Sequence, residues 1–169
     1  MNRPRRNFRA LDRILAMRWL ELRVPPLFVW VVFAGAMFGV ARLVPTPTFK
    51  LPGASVYAIA LVVLGAAVAL VGVVAFRRAG TTVNPITPSA AGIVVSGGIY
   101  RFTRNPMYLG FLVALAGWAI QLSNVAAALL LPAFVAYMTR FQIKPEEQAL
   151  AAKFGPQFMQ YRSRVRRWV

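Results

Sequence analysis

The sequence predicts an all-α integral membrane protein with about four transmembrane helices, an N-terminal amphipathic interfacial helix and short C-terminal cytoplasmic helices. Three observations predict it. Of the 169 residues 59% are hydrophobic, yet the formal net charge is +16, and the two properties are reconciled by segregation along the chain. Apolar runs reach the length of a bilayer crossing, so the solvent for the core is lipid. The cations fall in blocks: seven before the first apolar run, two between Arg42 and Lys50, four from Arg77 to Arg104 and seven from Arg140 onward. Because Lys and Arg concentrate on the cytoplasmic side, four crossings place the N-terminus, the long central loop and the C-terminus there. The charge distribution resembles that of a bacterial inner-membrane protein.

Residues 1–26 carry seven arginines, and Phe8, Leu11, Leu15, Trp19 and Leu22 recur between them at helical spacing. That pattern predicts a helix lying in the membrane interface. A signal peptide would have a shorter basic part, and the apolar run here continues past Ala36 to Val44.

Leu27 to Val44 is the first expected span, and "PTPTFKLPG" then breaks the chain with three prolines and a glycine. Ser55 to Phe76, without a charge, is the second. Gly35 with Gly39, and Gly65 with Ala69, set small residues at helical spacing, which predicts close helix packing. The segment from Arg77 to Asn105 is polar and rich in Gly, Thr, Ser and Pro, too long for a plain connector and so a candidate for function.

Met107 to Leu122 and Val125 to Phe141 are shorter apolar runs separated only by Ser123 and Asn124, a spacing that predicts an antiparallel hairpin. Pro132 should kink the second arm. From Pro145 the chain reads as a new helix, with Glu146 and Glu147 in its first turn and Gly155-Pro156 as its stop. A last basic helix puts Phe158, Tyr161, Val165 and Trp168 on one face. The expected organisation is one unit, 1–169, in which 27–76 holds two spans and 77–169 the functional half.

Several function classes are excluded by composition. Cysteine and histidine are absent, which removes disulfides, most transition-metal ligand sets and the commonest general base. The acidic inventory is Asp12, Glu21, Glu146 and Glu147, and no metal is expected. The basic excess would suggest nucleic acid in a soluble domain. Beside apolar spans it points instead to membrane lipids as partners, with no nucleic acid.

The stretch "YRFTRNPMYLGFL", Tyr100 to Leu112, opens the third span. Structural roles account for much of it: Asn105 as helix cap, Pro106 at the first helical position, Arg101 and Arg104 as charge bias, Tyr100 and Tyr108 as interfacial aromatics. Two blocks carry more than that. "GIVVSGGIYRFTRNPMYLG" is similar to a pattern of a short apolar stretch, Gly-x-Tyr and Arg-His-Pro-x-Tyr-x-Gly. One helical hairpin later, "EEQALAAKFGPQFMQYRSRV" is similar to a Glu-Glu-x-x-Leu, Phe-Gly, Tyr and Val series. Together they resemble the isoprenylcysteine carboxyl methyltransferase family and its phospholipid methyltransferase relatives, over roughly residues 76–169.

The resemblance implies S-adenosylmethionine as methyl donor, with S-adenosylhomocysteine as product. By matched position Gly92, Ile93, Val94, Val95, Tyr100, Asn105, Pro106, Met107 and Tyr108 would lie along the cofactor, and Glu146 would hold its amino group. The chemistry of the side chains is compatible: a helix N-terminus suits a carboxylate, tyrosine borders adenine, and a glutamate suits an ammonium. For Glu146 and Glu147 the competing role is stabilisation of the helix dipole. The chain departs from the family pattern at Asn105, where histidine is usual, and at Gln142, where the methyl esterases have arginine four residues before the first glutamate. Arg140 lies two positions earlier, a rotation of roughly 200° on a helix, and could substitute only if the helix shifts locally. Arg140 and Gln142 are therefore the substrate-side candidates.

The expected acceptor is lipophilic or small, a carboxylate or thiol, because such an anion arrives deprotonated and needs no base. Phospholipid N-methylation, and a non-enzymatic cationic membrane scaffold, are the alternatives.

Overall fold

The computed structural model describes residues 21–44, 48, 51–80 and 91–169. The predicted interfacial helix within 1–26 therefore lies almost wholly outside the described residues. Helix α1 runs Pro26–Leu43, α2 Ala54–Arg78, α3 Pro106–Leu122, α4 Val125–Phe154 and α5 Pro156–Arg164, with one 3-10 turn, Gly98–Arg101, between α2 and α3. Among the described residues there is no strand, and α1, α2 and α4 are long and apolar enough to cross a membrane. The third expected span, α3, has 17 residues, at the short end of the range for a crossing. The protein is an all-α integral membrane protein.

The α2–α3 pair forms the most extensive contact in the bundle, and small residues set its closeness. A methyl group on Gly65 would stand 2.7 Å from the Ala114 amide nitrogen, and one on Gly110 2.8 Å from that of Ala69. Gly117 repeats the approach against the Ala58 carbonyl at 2.7 Å. With no water in lipid to drive association, such backbone proximity supplies the van der Waals contact that holds spans together.

Gly35 and Gly39 do not follow the expectation made for them: among the described residues a methyl at either meets nothing within 4 Å. They lie away from the bundle because α1 docks by large side chains instead. Val29 and Met37 are buried in the core, and Phe33 meets Phe134 edge-to-face at 5.3 Å. Two indoles clasp α1 to α3 in opposite senses, Trp30 donating to the Phe111 carbonyl at 3.1 Å and Trp118 to the Ala34 carbonyl at 3.0 Å.

The turn between α3 and α4 is as tight as expected. Ser123 takes φ +50°, and the Asn124 side chain accepts from the Ala127 amide at 2.9 Å, capping the next helix, while its amide donates to the Val44 carbonyl at 3.1 Å. One turn before Pro132, α4 loses its regular turn at Leu129; Pro132 has no N–H for the carbonyl of Ala128.

The helical segment expected from Pro145 is present, an α-helical stretch from Lys144 with the proline, Glu146 and Glu147 in its first turn, but it is continuous with the segment before it as part of α4. The chain accommodates the proline with a π-helical turn over Thr139–Ile143. In an α-helix the N–H of residue 145 would bond the Phe141 carbonyl; proline has none, and that carbonyl instead accepts from the Leu22 amide at 3.1 Å. A backbone group freed by sequence is thus satisfied by the segment preceding α1, as burial demands. Gly155, at φ +50°, then ends α4, and Pro156 opens α5 at its first position.

Candidate functional site

The segment 91–105 turns back over the ends of α2 and α3, and the C-terminal stretch lies across it. Phe76, near the end of α2, stacks edge-to-face on Tyr100 at 5.1 Å. Tyr161 on α5 donates to the Tyr100 carbonyl at 2.8 Å. Arg104 carries the rest of the seam: its backbone amide donates to the Arg166 carbonyl at 3.0 Å, and its guanidinium to the carbonyls of Arg162, at 3.0 Å, and Val165.

Glu147 anchors both sides of this seam. Its Oε1 pairs with Arg104 at 2.8 Å and its Oε2 with Arg167 at 2.7 Å. The Glu147 carboxylate holds the Arg167 guanidinium above its ordinary pKa. Asn105 joins the same network. It stands at the N-cap position of α3 but makes no side-chain cap; its amide donates to the Arg167 carbonyl at 2.8 Å, so the helix-capping role expected for it is replaced by a tether on the C-terminal tail. Cap residues need a free acceptor aimed at the helix, and here the side chain is spent elsewhere.

Under the seam lies a cavity with about 660 Å³ of atom-free space, its open side included. Its walls hold Ile93, Val94, Val95, Tyr100, Asn105, Met107, Tyr108 and Glu146, all singled out from the sequence. Of the other candidates, Pro106 is fully buried just outside the lining and Gly92 is not part of the wall. Phe76, Ala91, Arg104, Glu147, Leu150, Phe158 and Tyr161 complete it. The sequence signal for Phe158 and Tyr161 was their shared helix face; Arg104 and Glu147 had read only as charge bias and helix-dipole partner.

Arg140 and Gln142 are not among the lining residues. Arg140 pairs with Glu21 at 2.5 Å, and Gln142, wholly buried, donates to the Val24 carbonyl at 2.8 Å. The π-helical turn is a local shift of the kind that Arg140 would need to replace the family's arginine, yet both side chains serve the connection to α1.

Two polar groups in the cavity are left with unused capacity. Tyr100 is buried, and among the described residues its hydroxyl has no hydrogen-bond partner. Burial, then the neighbouring Tyr161 and Glu146, push that phenol far above its ordinary pKa, so it is neutral and a donor. Burial likewise pushes Tyr161 up to about 12. Glu146 accepts from the Tyr108 hydroxyl and, among the described residues, has no cation as partner. Among the described residues, a phenol without a partner and a carboxylate without a cation stand in a cavity whose apolar wall includes Phe76, Val94, Met107, Leu150 and Phe158, an arrangement that suits a ligand carrying both a cation and apolar surface.

The chain is similar to known proteins over much of its length. The phospholipid methyltransferase family model matches residues 54–157. An uncharacterized protein of Haemophilus influenzae is 40% identical over 63 residues, 37% of this chain and the whole of that protein. Protein-S-isoprenylcysteine O-methyltransferase B of Arabidopsis thaliana is 29% identical over 112 residues, 64% of this chain and 55% of the relative. Protein-S-isoprenylcysteine O-methyltransferase of Schizosaccharomyces pombe is 33% identical over 73 residues, 43% of this chain and 31% of the relative. The chain thus spans about half, or less, of the two named enzymes. No solved structure matches it.

Proposed function

The chain belongs to the phospholipid methyltransferase family, a family of membrane methyltransferases, and from that membership we propose that it transfers a methyl group from S-adenosylmethionine to a lipophilic or small carboxylate or thiol acceptor. The observation that carries the reading is the convergence of Tyr100, Tyr108 and Glu146, from three separate elements, on one cavity. The cofactor, when bound, supplies an electrophilic methyl group on a cationic sulfur.

Glu146 would accept a hydrogen bond from the donor's ammonium, a charge-assisted contact at a carboxylate that has no cation as partner among the described residues. Tyr100, neutral, donates its free hydroxyl into the same cavity. First-turn amides of α3 offer a positive helix end to the donor's carboxylate. Glu147, already held by two arginines, keeps the C-terminal stretch over the cavity and water out of it. In a water-poor site an anionic acceptor and a cationic donor lose opposite charges together in the transition state, which low polarity favours. Alignment then does most of the work, and no basic residue is required.

The protein would take the cofactor from the cytoplasm, with both termini on that side, in a bacterial inner membrane. Isothermal titration of the purified, folded protein with S-adenosylhomocysteine tests the site; absence of heat would defeat the reading. Transfer of a labelled methyl group into total membrane and soluble extracts identifies the acceptor. Label in an ethanolamine headgroup would establish phospholipid N-methylation in place of a carboxylate or thiol.

A further inference from the structure

We propose that Arg101 and Arg164, with Ser96, Gln157 and Gln160, form a binding site for a phosphate group at the edge of the cavity. These residues line a second cleft, with about 1030 Å³ of atom-free space including its open side, that shares Val94 and Tyr161 with the wall of the first. Its lining contains no carboxylate. The chain has four acidic residues against twenty cations, so most of its arginines lack an internal counter-ion. Among the described residues, those that have one are Arg104 and Arg167, paired with Glu147, and Arg140, paired with Glu21. Among the described residues, Arg101 and Arg164 make no ion pair.

The chemistry of the walls selects the ligand. Two guanidinium groups present planar donor forks that match phosphate oxygens. Ser96 adds a hydroxyl, and the two glutamines add neutral amide donors. Depth is set by the neighbouring elements. The Phe76–Tyr100 stack holds the Gly98–Arg101 turn against α2 where its apolar run gives way to Arg77 and Arg78, the level at which lipid headgroups lie. A phosphate monoester or diester therefore reaches the cleft either as part of an anionic lipid or as a free solute. The site is defined without reference to methyl transfer and stands or falls apart from it.

The test uses the full chain, purified in a zwitterionic detergent for titration with inorganic phosphate, and in phosphatidylcholine nanodiscs with or without phosphatidylglycerol for thermal melting. The variant Arg101→Gln/Arg164→Gln removes the site, and Arg162→Gln/Arg166→Gln removes equal charge outside this cleft. We expect the first pair to weaken the response to phosphate or to phosphatidylglycerol by about tenfold and the second to change it by no more than about twofold. A response to phosphatidylglycerol alone assigns the site to lipid; a response to both assigns it to phosphate in either form. Arg101→Gln alone, with the circular dichroism melt unchanged, replaces the double variant should that fail to fold, and should still weaken binding. Equal losses in both pairs, or no response of the unsubstituted protein to either probe, would overturn the proposal.

Discussion

Glu146 and Glu147 are consecutive on α4 yet answer to different partners: Glu146 accepts from Tyr108 on α3 beside the cavity, while Glu147 pairs with Arg104 and Arg167 in the seam above it. One residue step turns a helix by about 100°, enough to send one carboxylate to the cavity and the other to a structural lock. The division makes their substitutions separable.

Glu147→Gln should lower stability, because two arginines that share one carboxylate would be left in a mostly buried place. Loss of one partner of a buried pair costs about 3–5 kcal/mol, and both arginines are affected together. The expected result is a clear fall in melting temperature with faster amide exchange across Tyr161 to Arg167. Glu146→Gln should leave the melt near that of the unsubstituted protein while weakening S-adenosylhomocysteine binding by about tenfold, the loss of one charge-assisted bond. Equal affinity losses in the two variants would remove the assignment of Glu146 to the ligand.

The Tyr100 hydroxyl has the opposite signature. It is buried without a partner among the described residues, and removing such a group by Tyr100→Phe deletes a desolvation cost of about 1–3 kcal/mol. The variant should melt higher without ligand and gain less on addition of S-adenosylhomocysteine. If ligand raises both proteins equally, the hydroxyl makes no bond to it.

Helix packing offers a cleaner contrast, since the same substitution has opposite consequences at two glycines. Gly110→Ala puts a methyl 2.8 Å from the Ala69 amide nitrogen and must push α3 away from α2, so a large drop in melting temperature is expected. Gly35→Ala meets open space and should be neutral, or slightly stabilising through helix propensity. A thermal melt of each in detergent checks both.

The crossings are legible in the sequence because hydropathy alone places them, and the tight turn at Ser123-Asn124 because two polar residues between apolar runs leave no other connection. Packing at Gly35 and Gly39 is not, since a spacing of small residues does not say which face of a helix meets a neighbour; Trp30, Val29 and Met37 decide that for α1. The full length of α4 is hidden because Pro145 resembles a helix start. What lets the helix continue is the Leu22 amide on the Phe141 carbonyl, a contact between distant parts of the chain that no local window contains. Tyr100 and Glu146 stand out through the two blocks they occupy. The Arg104–Glu147–Arg167 lock does not, because its members lie 43 and 20 residues apart and each alone reads as ordinary surface charge.

Pro145 itself supplies the last prediction. Pro145→Ala restores an N–H that competes with Leu22 for the Phe141 carbonyl, favouring an α turn in place of the π turn at Thr139–Ile143. Removing the extra residue of a π turn rotates the downstream part of the helix by roughly 100° relative to the upstream part, and Glu146 lies at the start of the downstream part. The variant should keep its helix content by circular dichroism, since the proline's removal adds a bond. It should nevertheless bind S-adenosylhomocysteine about tenfold more weakly, the loss of one charge-assisted contact, because Glu146 would no longer face Tyr108. Unchanged affinity would mean that the turn does not set the register of the cavity.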